Sequence, residues 1–366
     1  MPTPLTVFLG GDVMLGRGID QILPHPGEAV LRERYVDDAR DYVALAEAAN
    51  GAIPRPVDFS WPWGDALEIL AGAGTGARIV NLETSVTRSD LFSPDKGVHY
   101  RMSPANLPCL VAARPNVCVL ANNHVLDFGY SGLREALEAL AEAGLPVAGA
   151  GLDVNRAQRP AIVDVDNGRV LVFAFGTASS GVPPRWAATA DRAGVNFLPE
   201  LSEDSAARLS DEIRQHRRSG DIVVASIHWG SNWGYEIQGE HIRFAHALVD
   251  GGVDIVHGHS SHHPRPVEVY RDRLVLYGCG DLVNDYEGIC GYEDFRDDLR
   301  LMYLASVDAS GALIGLRMVP MRTRRMRLHR ASSEDTEWLR TVVDSVSGRF
   351  GARIDTTADG MLTLRR

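Results

Sequence analysis

The sequence predicts a layered α/β fold with mixed sheets. Strand-length apolar runs alternate with segments of helical periodicity along nearly the whole chain. Two stretches read as hairpins, which places antiparallel pairs beside the parallel ones that alternation implies. The 366 residues, 45% of them hydrophobic, are enough for one sizeable domain or two modest ones.

The elements follow in order. LTVFLGGDV (5–13) is a first strand ending in Gly-Gly-Asp, and DALEILAGAG (65–74) is a helix stopped by glycine. Between them, residues 20–63 carry the Pro- and Trp-bearing PRPVDFSWPWGD and read as an insertion forming a lid or rim. ARIVNLET (77–84) is a second strand. SPANLPCLVAA (103–113) opens a helix with Ser and Pro, an N-cap and first-turn signal. NVCVLANNH (116–124) is a third strand. SGLREALEALAEAG (131–144) is the clearest helix, with Leu133, Leu137 and Leu140 on one face. The first hairpin spans 160–177 and turns at Asp166-Asn167-Gly168. Helices at 202–220 and 241–252 lead into strands DIVVASIHWG (221–230) and VDIVHGH (253–259), and a second hairpin covers 267–281. The basic run MRTRRMRLHRAS (321–332) reads as a solvated edge strand. Residues 1–330 are then one domain, with 331–366 adding a helix and a strand packed on it.

Composition narrows the function. A net charge of −11 argues against a nucleic-acid binder. No apolar run is long enough for a membrane span and no leader pattern is visible, so a cytoplasmic protein without a membrane partner is expected. Its four cysteines form no C-x-x-C pair and are expected as reduced thiols.

Polar residues gather where strands end. Asp12 closes the first strand, Asn81 and Glu83 the second, and Asn122, Asn123 and His124 the third. His228 ends 221–230. Four of the twelve histidines, His257, His259, His262 and His263, crowd into seven positions after VDIV. In open α/β sheets ligands sit beyond the carboxyl ends of strands. Carboxylate, amide and imidazole donors together suit divalent Mn, Fe or Zn.

The segments GGDVMLGRG, NLET, LANNHVLDFG, SIHWGSNW, GHSSHHPRPVEVY and LVLYGCGDLVNDYEG, between residues 10 and 288, carry a resemblance. Their order resembles the calcineurin-like metallophosphoesterases and, more closely, the CapA family named for poly-γ-glutamate capsule synthesis. The resemblance implies a four-layer α/β/β/α sandwich with a centre of two divalent metal ions. It implies metal ligands at Asp12, Glu83, Asn123, His228 and His262, with His257 and His259 both contenders for a further position. It makes His124 the residue assisting the leaving group. The chain departs from the wider superfamily at Met14, where a histidine is usual, at Glu83 in place of Asp, and in an extra residue between His259 and His262.

The function implied is a metal-dependent hydrolase of a phosphoester or of an amide or γ-glutamyl-type bond in a small anionic or peptide-like substrate. The alternative is an accessory metal-binding subunit in capsule or peptide-like biosynthesis. Asp127 either orients His124 or caps the following helix. Arg17, with Arg101 and Arg265 behind it, is a candidate anion clamp, and Trp229 a candidate pocket wall. Asp281, Asn284, Asp285 and Glu287 are expected around the ligands or at a substrate rim.

Overall fold

In the computed structural model, residues 4–94, 96–166 and 168–365 are described. Asn167, expected at the first hairpin turn, lies outside them. The larger sheet has ten strands among the described residues. Its main path runs Arg353–Thr356, Leu362–Arg365, Leu313–Thr323, Leu299–Val307, Leu5–Val13, Ala77–Leu82, Val117–Val119, Val147–Ala148. The last four are parallel to one another, and Leu299–Val307 is antiparallel to Leu5–Val13. The smaller sheet runs Phe197–Leu198, Gly168–Thr177, Ile222–His228, Ile255–His259, Arg273–Leu276, Val267–Tyr270, with Ala161–Val165 paired to Gly168–Thr177. Both expected hairpins form as antiparallel pairs.

Strand alternation explains the layering, because successive side chains point to opposite faces. Val7, Leu9, Ile79, Val117 and Val119 of the larger sheet share one apolar cluster with Val170, Val172, Val224 and Ile255 of the smaller. The intervening residues face outward. Phe8, Val80 and Cys118 pack with Leu133, Ala136 and Leu140 of the helix Gly129–Glu142. Leu171, Phe173, Val223 and Ala225 pack with the helices Glu203–His216 and Gly239–Asp250. The four layers α/β/β/α are therefore present.

Residues 20–63, expected as a lid or rim, instead bury Ile22, Leu31, Tyr42, Val43 and Trp63 in the cluster on the larger sheet's outer face. The C-terminal segment extends that sheet with Arg353–Thr356 and Leu362–Arg365. Its helix Ser333–Ser347 adds Leu339 and Val343 to the cluster between the sheets. No helix among the described residues is long and apolar enough to cross a membrane.

Candidate metal centre

Toward the carboxyl ends of the strands the inner face of the sandwich turns polar. Ile222 and Val224 give way, at the same period of two, to Ser226 and His228, and Ile255 gives way to His257 and His259. The parallel register sets Ser226 beside His257 and His228 beside His259. Across the sandwich, Asp12 is aligned with Asn81 on one side and Asp281 on the other. Gly11 lets this happen: an added Cβ would stand 1.7 Å from the Gly280 carbonyl oxygen.

Two groups of three potential ligands result, and they share Asp12. In each of Asp12–His228–His259 and Asp12–His262–Asp281 one donor atom per residue lies within 4.8 Å of the others, and all are buried. Asn81 Nδ2 donates to Asp12 Oδ1 at 2.7 Å, and the Ser260 amide donates to Oδ2 at 3.2 Å. Asn284 Nδ2 donates to Asp281 Oδ2 at 2.6 Å, while His262 Nδ1 lies 2.9 Å from Oδ1. Asp281 sits where the sequence suggested only a surrounding group; the glycines before it were the signal.

The histidine crowding now has an account. His257 is turned away from the carboxylates. Its Nε2 donates to the Gly10 carbonyl oxygen at 2.9 Å, and that oxygen can only accept. Burial holds His257 neutral by pushing its pKa down to about 4. Its Nδ1 must then accept the Ser226 hydroxyl hydrogen, at 3.0 Å. Ser226 Oγ in turn accepts from His259 Nε2 at 2.9 Å. The relay leaves His259 Nδ1 with a bare lone pair. On the other side Asn123 Oδ1, 3.1 Å from His228 Nε2, takes a hydrogen there and leaves His228 Nδ1 without one, its lone pair met only by a long 3.5 Å contact from Asn81 Nδ2. The two Nδ1 atoms face each other at 2.8 Å. His263 points elsewhere, accepting from the Gly234 amide at 3.1 Å and stacking on Phe295.

The electrostatics match a cation. Burial, and then the Asp281 carboxylate, pushes Asp12 up to about 7; burial and Asp12 raise Glu83 well above its ordinary range. Burial holds His228 and His259 well below theirs, in the neutral form that ligates. Clustered carboxylates beside two lone pairs 2.8 Å apart are costly unless a positive charge lies between them. The donor set therefore fits divalent ions.

Beside this set, His124 Nδ1 lies 2.7 Å from Asp127 Oδ2 and His124 Nε2 lies 3.6 Å from Glu83 Oε1. Lys96 Nζ is also 3.1 Å from Nδ1, but the shorter contact to a carboxylate assigns the hydrogen to Nδ1. Asp127 accepts from the Tyr100 amide at 2.7 Å and from Lys96. It does not cap the next helix, whose cap position is Phe128. Burial pushes His124 down to about 4; for Asp127, burial is outweighed by His124 and Lys96, which lower it. Neither Lys96 nor Tyr100 carried a sequence signal.

The remaining candidates sit apart. Arg17, expected as an anion clamp, donates to Asp285 through Nε at 3.1 Å and Nη2 at 2.5 Å, and to Glu33 through Nη1 at 3.0 Å. Its guanidinium lies over Tyr42 and Tyr100, so both faces and the fork are occupied. Trp229 is buried in the apolar cluster of the smaller sheet's outer face and donates Nε1 to the Tyr277 carbonyl oxygen at 3.0 Å.

The family model described as "Bacterial capsule synthesis protein PGA_cap" matches residues 6–286. A protein of Mycobacterium tuberculosis, named a probable polyglutamine synthesis accessory protein, is 54% identical over 364 residues, covering 99% of this chain and 96% of its own. The PGA biosynthesis protein CapA of Bacillus subtilis is 26% identical over 310 residues, covering 84% and 69%. Among solved structures, a 5'-nucleotidase precursor from Thermus thermophilus aligns over 95% of this chain with a TM-score of 0.49 and 15% identity. The chain spans 59% of that protein's length.

Proposed function

This chain belongs to the bacterial capsule synthesis protein family, and from that premise we propose that it is a metal-dependent hydrolase of an anionic, peptide-like substrate. The bond we assign is an amide of a glutamyl-type chain. What carries the reading is His124, oriented by Asp127 and facing Glu83 beside two ligand groups that share Asp12. A purely metal-holding protein has no use for an imidazole aligned in this way. The choice of an amide rests on the relatives named for PGA biosynthesis and polyglutamine synthesis.

His228 and His259 would hold one ion with Asp12, and His262 and Asp281 the other. Asp281 then supplies the donor that Met14 does not. Divalent Mn, Fe or Zn bound there would supply Lewis-acid activation of water and would neutralise substrate charge. The protein's own part is proton handling. His124 Nε2 gives or takes the proton at the leaving atom, while Asp127 keeps the ring in one tautomer and stabilises its charged form. Glu83 and Asn81 are buried, which keeps bulk water from these groups and strengthens their interactions.

The test is hydrolysis of γ-glutamyl anilide and aryl phosphate substrates by the metal-loaded chain, with His124→Gln as control. Release from the anilide that depends on His124 is expected. Release from the phosphate alone would move the activity to phosphoesters. Release from neither would favour the accessory role in the M. tuberculosis relative's name.

Two further outcomes follow from the same geometry. Ser226→Ala breaks the relay, so His259 loses its fixed tautomer and metal affinity falls about 10- to 100-fold; calorimetric titration reads this directly. Affinity also depends on pH. A proton competes with the ion at Asp12, whose pKa stands at about 7 without metal. Affinity is therefore expected to fall as pH drops from about 8 to about 6, and a flat profile in the same titration would contradict the assignment.

A further inference from the structure

The loop that follows His228 holds a second cluster of buried nitrogen, separate from the ligands. Arg265 is 4% exposed and bonds only to a neutral loop, donating Nη2 to the Ser231 carbonyl oxygen at 2.7 Å and to Ser231 Oγ at 2.9 Å. Its Nε has no partner among the described residues. No carboxylate among the described residues forms an ion pair with it, and burial pushes it down to about 10. Arg101 and Arg300 also leave Nε without a partner among the described residues, but the other buried guanidinium groups have carboxylates nearby, Asp297 and Asp298 in the case of Arg300. Arg17 sits on two carboxylates, and Arg101 lies near Glu28, Asp20 and Asp90. A buried cation without a counter-charge is strongly unfavourable.

His241, in the first turn of the helix Gly239–Asp250, is also 4% exposed. Neither of its ring nitrogens has a partner among the described residues. Gly230, at φ +77°, brings the two side chains together. A Cβ on it would lie 3.0 Å from Arg265 Nη1 and 3.7 Å from His241 Nε2. Here a cavity of about 20 Å³ opens between Trp229, Gly230, His241 and Arg265, with the exposed Glu236 and Gln238 also in its wall. That volume holds about one water-sized atom.

We propose that Arg265 and His241 form a binding site for a small monovalent anion beneath Gly230. The site takes one negatively charged atom, either a free halide or one oxygen of a carboxylate group. Its occupant braces the loop against the candidate metal centre, because Asn232, two residues further on, accepts the His262 amide at 3.0 Å. The site requires neither a metal nor a reaction, so its failure and the failure of the hydrolase reading are separable.

The test uses the full chain stripped of divalent ions, in methanesulfonate at constant ionic strength. Chloride, bromide, formate and sulfate are titrated while the thermal midpoint is followed. A saturable rise with halides and not with sulfate is expected, and a rise with formate as well identifies a carboxylate site. In His241→Gln and Arg265→Gln the half-saturating concentration is expected to rise at least about tenfold, the loss of about 1.4 kcal/mol. Arg265→Gln also removes the bonds to Ser231, so bromide line broadening on the unsubstituted chain gives a readout free of any substitution. No saturable response to any small anion, an equal response to sulfate, or a response unchanged in both variants would overturn the site.

Discussion

Asp12→Asn is expected to abolish binding at both cation positions at once while leaving the chain folded. Asp12 is the one residue common to the two ligand groups. Losing an outer hydrogen-bond partner of a ligand already costs about 10- to 100-fold in affinity, so losing the shared ligand should exceed about 100-fold at each position. The metal-free variant carries a second, less intuitive expectation. In the wild-type chain, burial and then Asp281 raise Asp12 from 3.8 to about 7. Between those values the folded state binds more protons than the unfolded state, so stability falls as pH rises through this window. At a pH of about 8 the metal-free wild type therefore bears a cost on the order of a few kcal/mol. Asparagine escapes that cost and gives up the Ser260 amide bond, worth about 1 kcal/mol. The metal-free variant should melt higher than metal-free wild type near pH ~8, and this difference should narrow toward pH ~5. A lower midpoint at the alkaline end would mean that the carboxylates are not in conflict there.

The second large effect is confined to turnover. His124→Gln should lower kcat by about 10²- to 10⁴-fold, the range for losing a positioned acid–base group, with metal content unchanged. His124 belongs to neither ligand group; its ring is held by Asp127 and lies against Tyr100 at 4.4 Å between centroids. Asp127→Asn should give a smaller loss by freeing the tautomer. If His124→Gln emptied the centre, His124 would be a ligand. If it left turnover unchanged, the residue would have no part in the reaction.

Much of this was legible in the sequence because it rests on local periodicity. The alternation along ARIVNL and VVASIH puts Asn81 and His228 on the inward face, whereas Asp12, on the parity of the outward Phe8, is turned inward by a register shift between Gly10 and Asp12 that periodicity does not reveal. The same period of two puts His257 on the face of His259, yet it does not say which of the two reaches the carboxylates. That is decided by Gly10 and Ser226, which come from two different sheets. Arg17 failed as a clamp for a similar reason. Its partner Asp285 is 268 positions away, and no local pattern reveals such a pairing. The sequence around Asp127 fits a helix cap as well as a partner of His124, and the contacts that decide it come from Tyr100 and Lys96 in another segment. Residues 20–63 lack strong periodicity and so resembled a surface insertion, although Trp63 and Tyr42 are core residues.

Two divalent cations are expected to bind, sharing Asp12, one with His228 and His259 and the other with His262 and Asp281. Calorimetric titration of the metal-stripped chain with Mn²⁺ and Zn²⁺ tests this most directly, with His259→Ala and His262→Ala measured alongside. The account predicts two equivalents for the unsubstituted chain and one for each variant, with the remaining site weakened but present. Absence of binding in the unsubstituted chain, or a stoichiometry untouched by both substitutions, would contradict it.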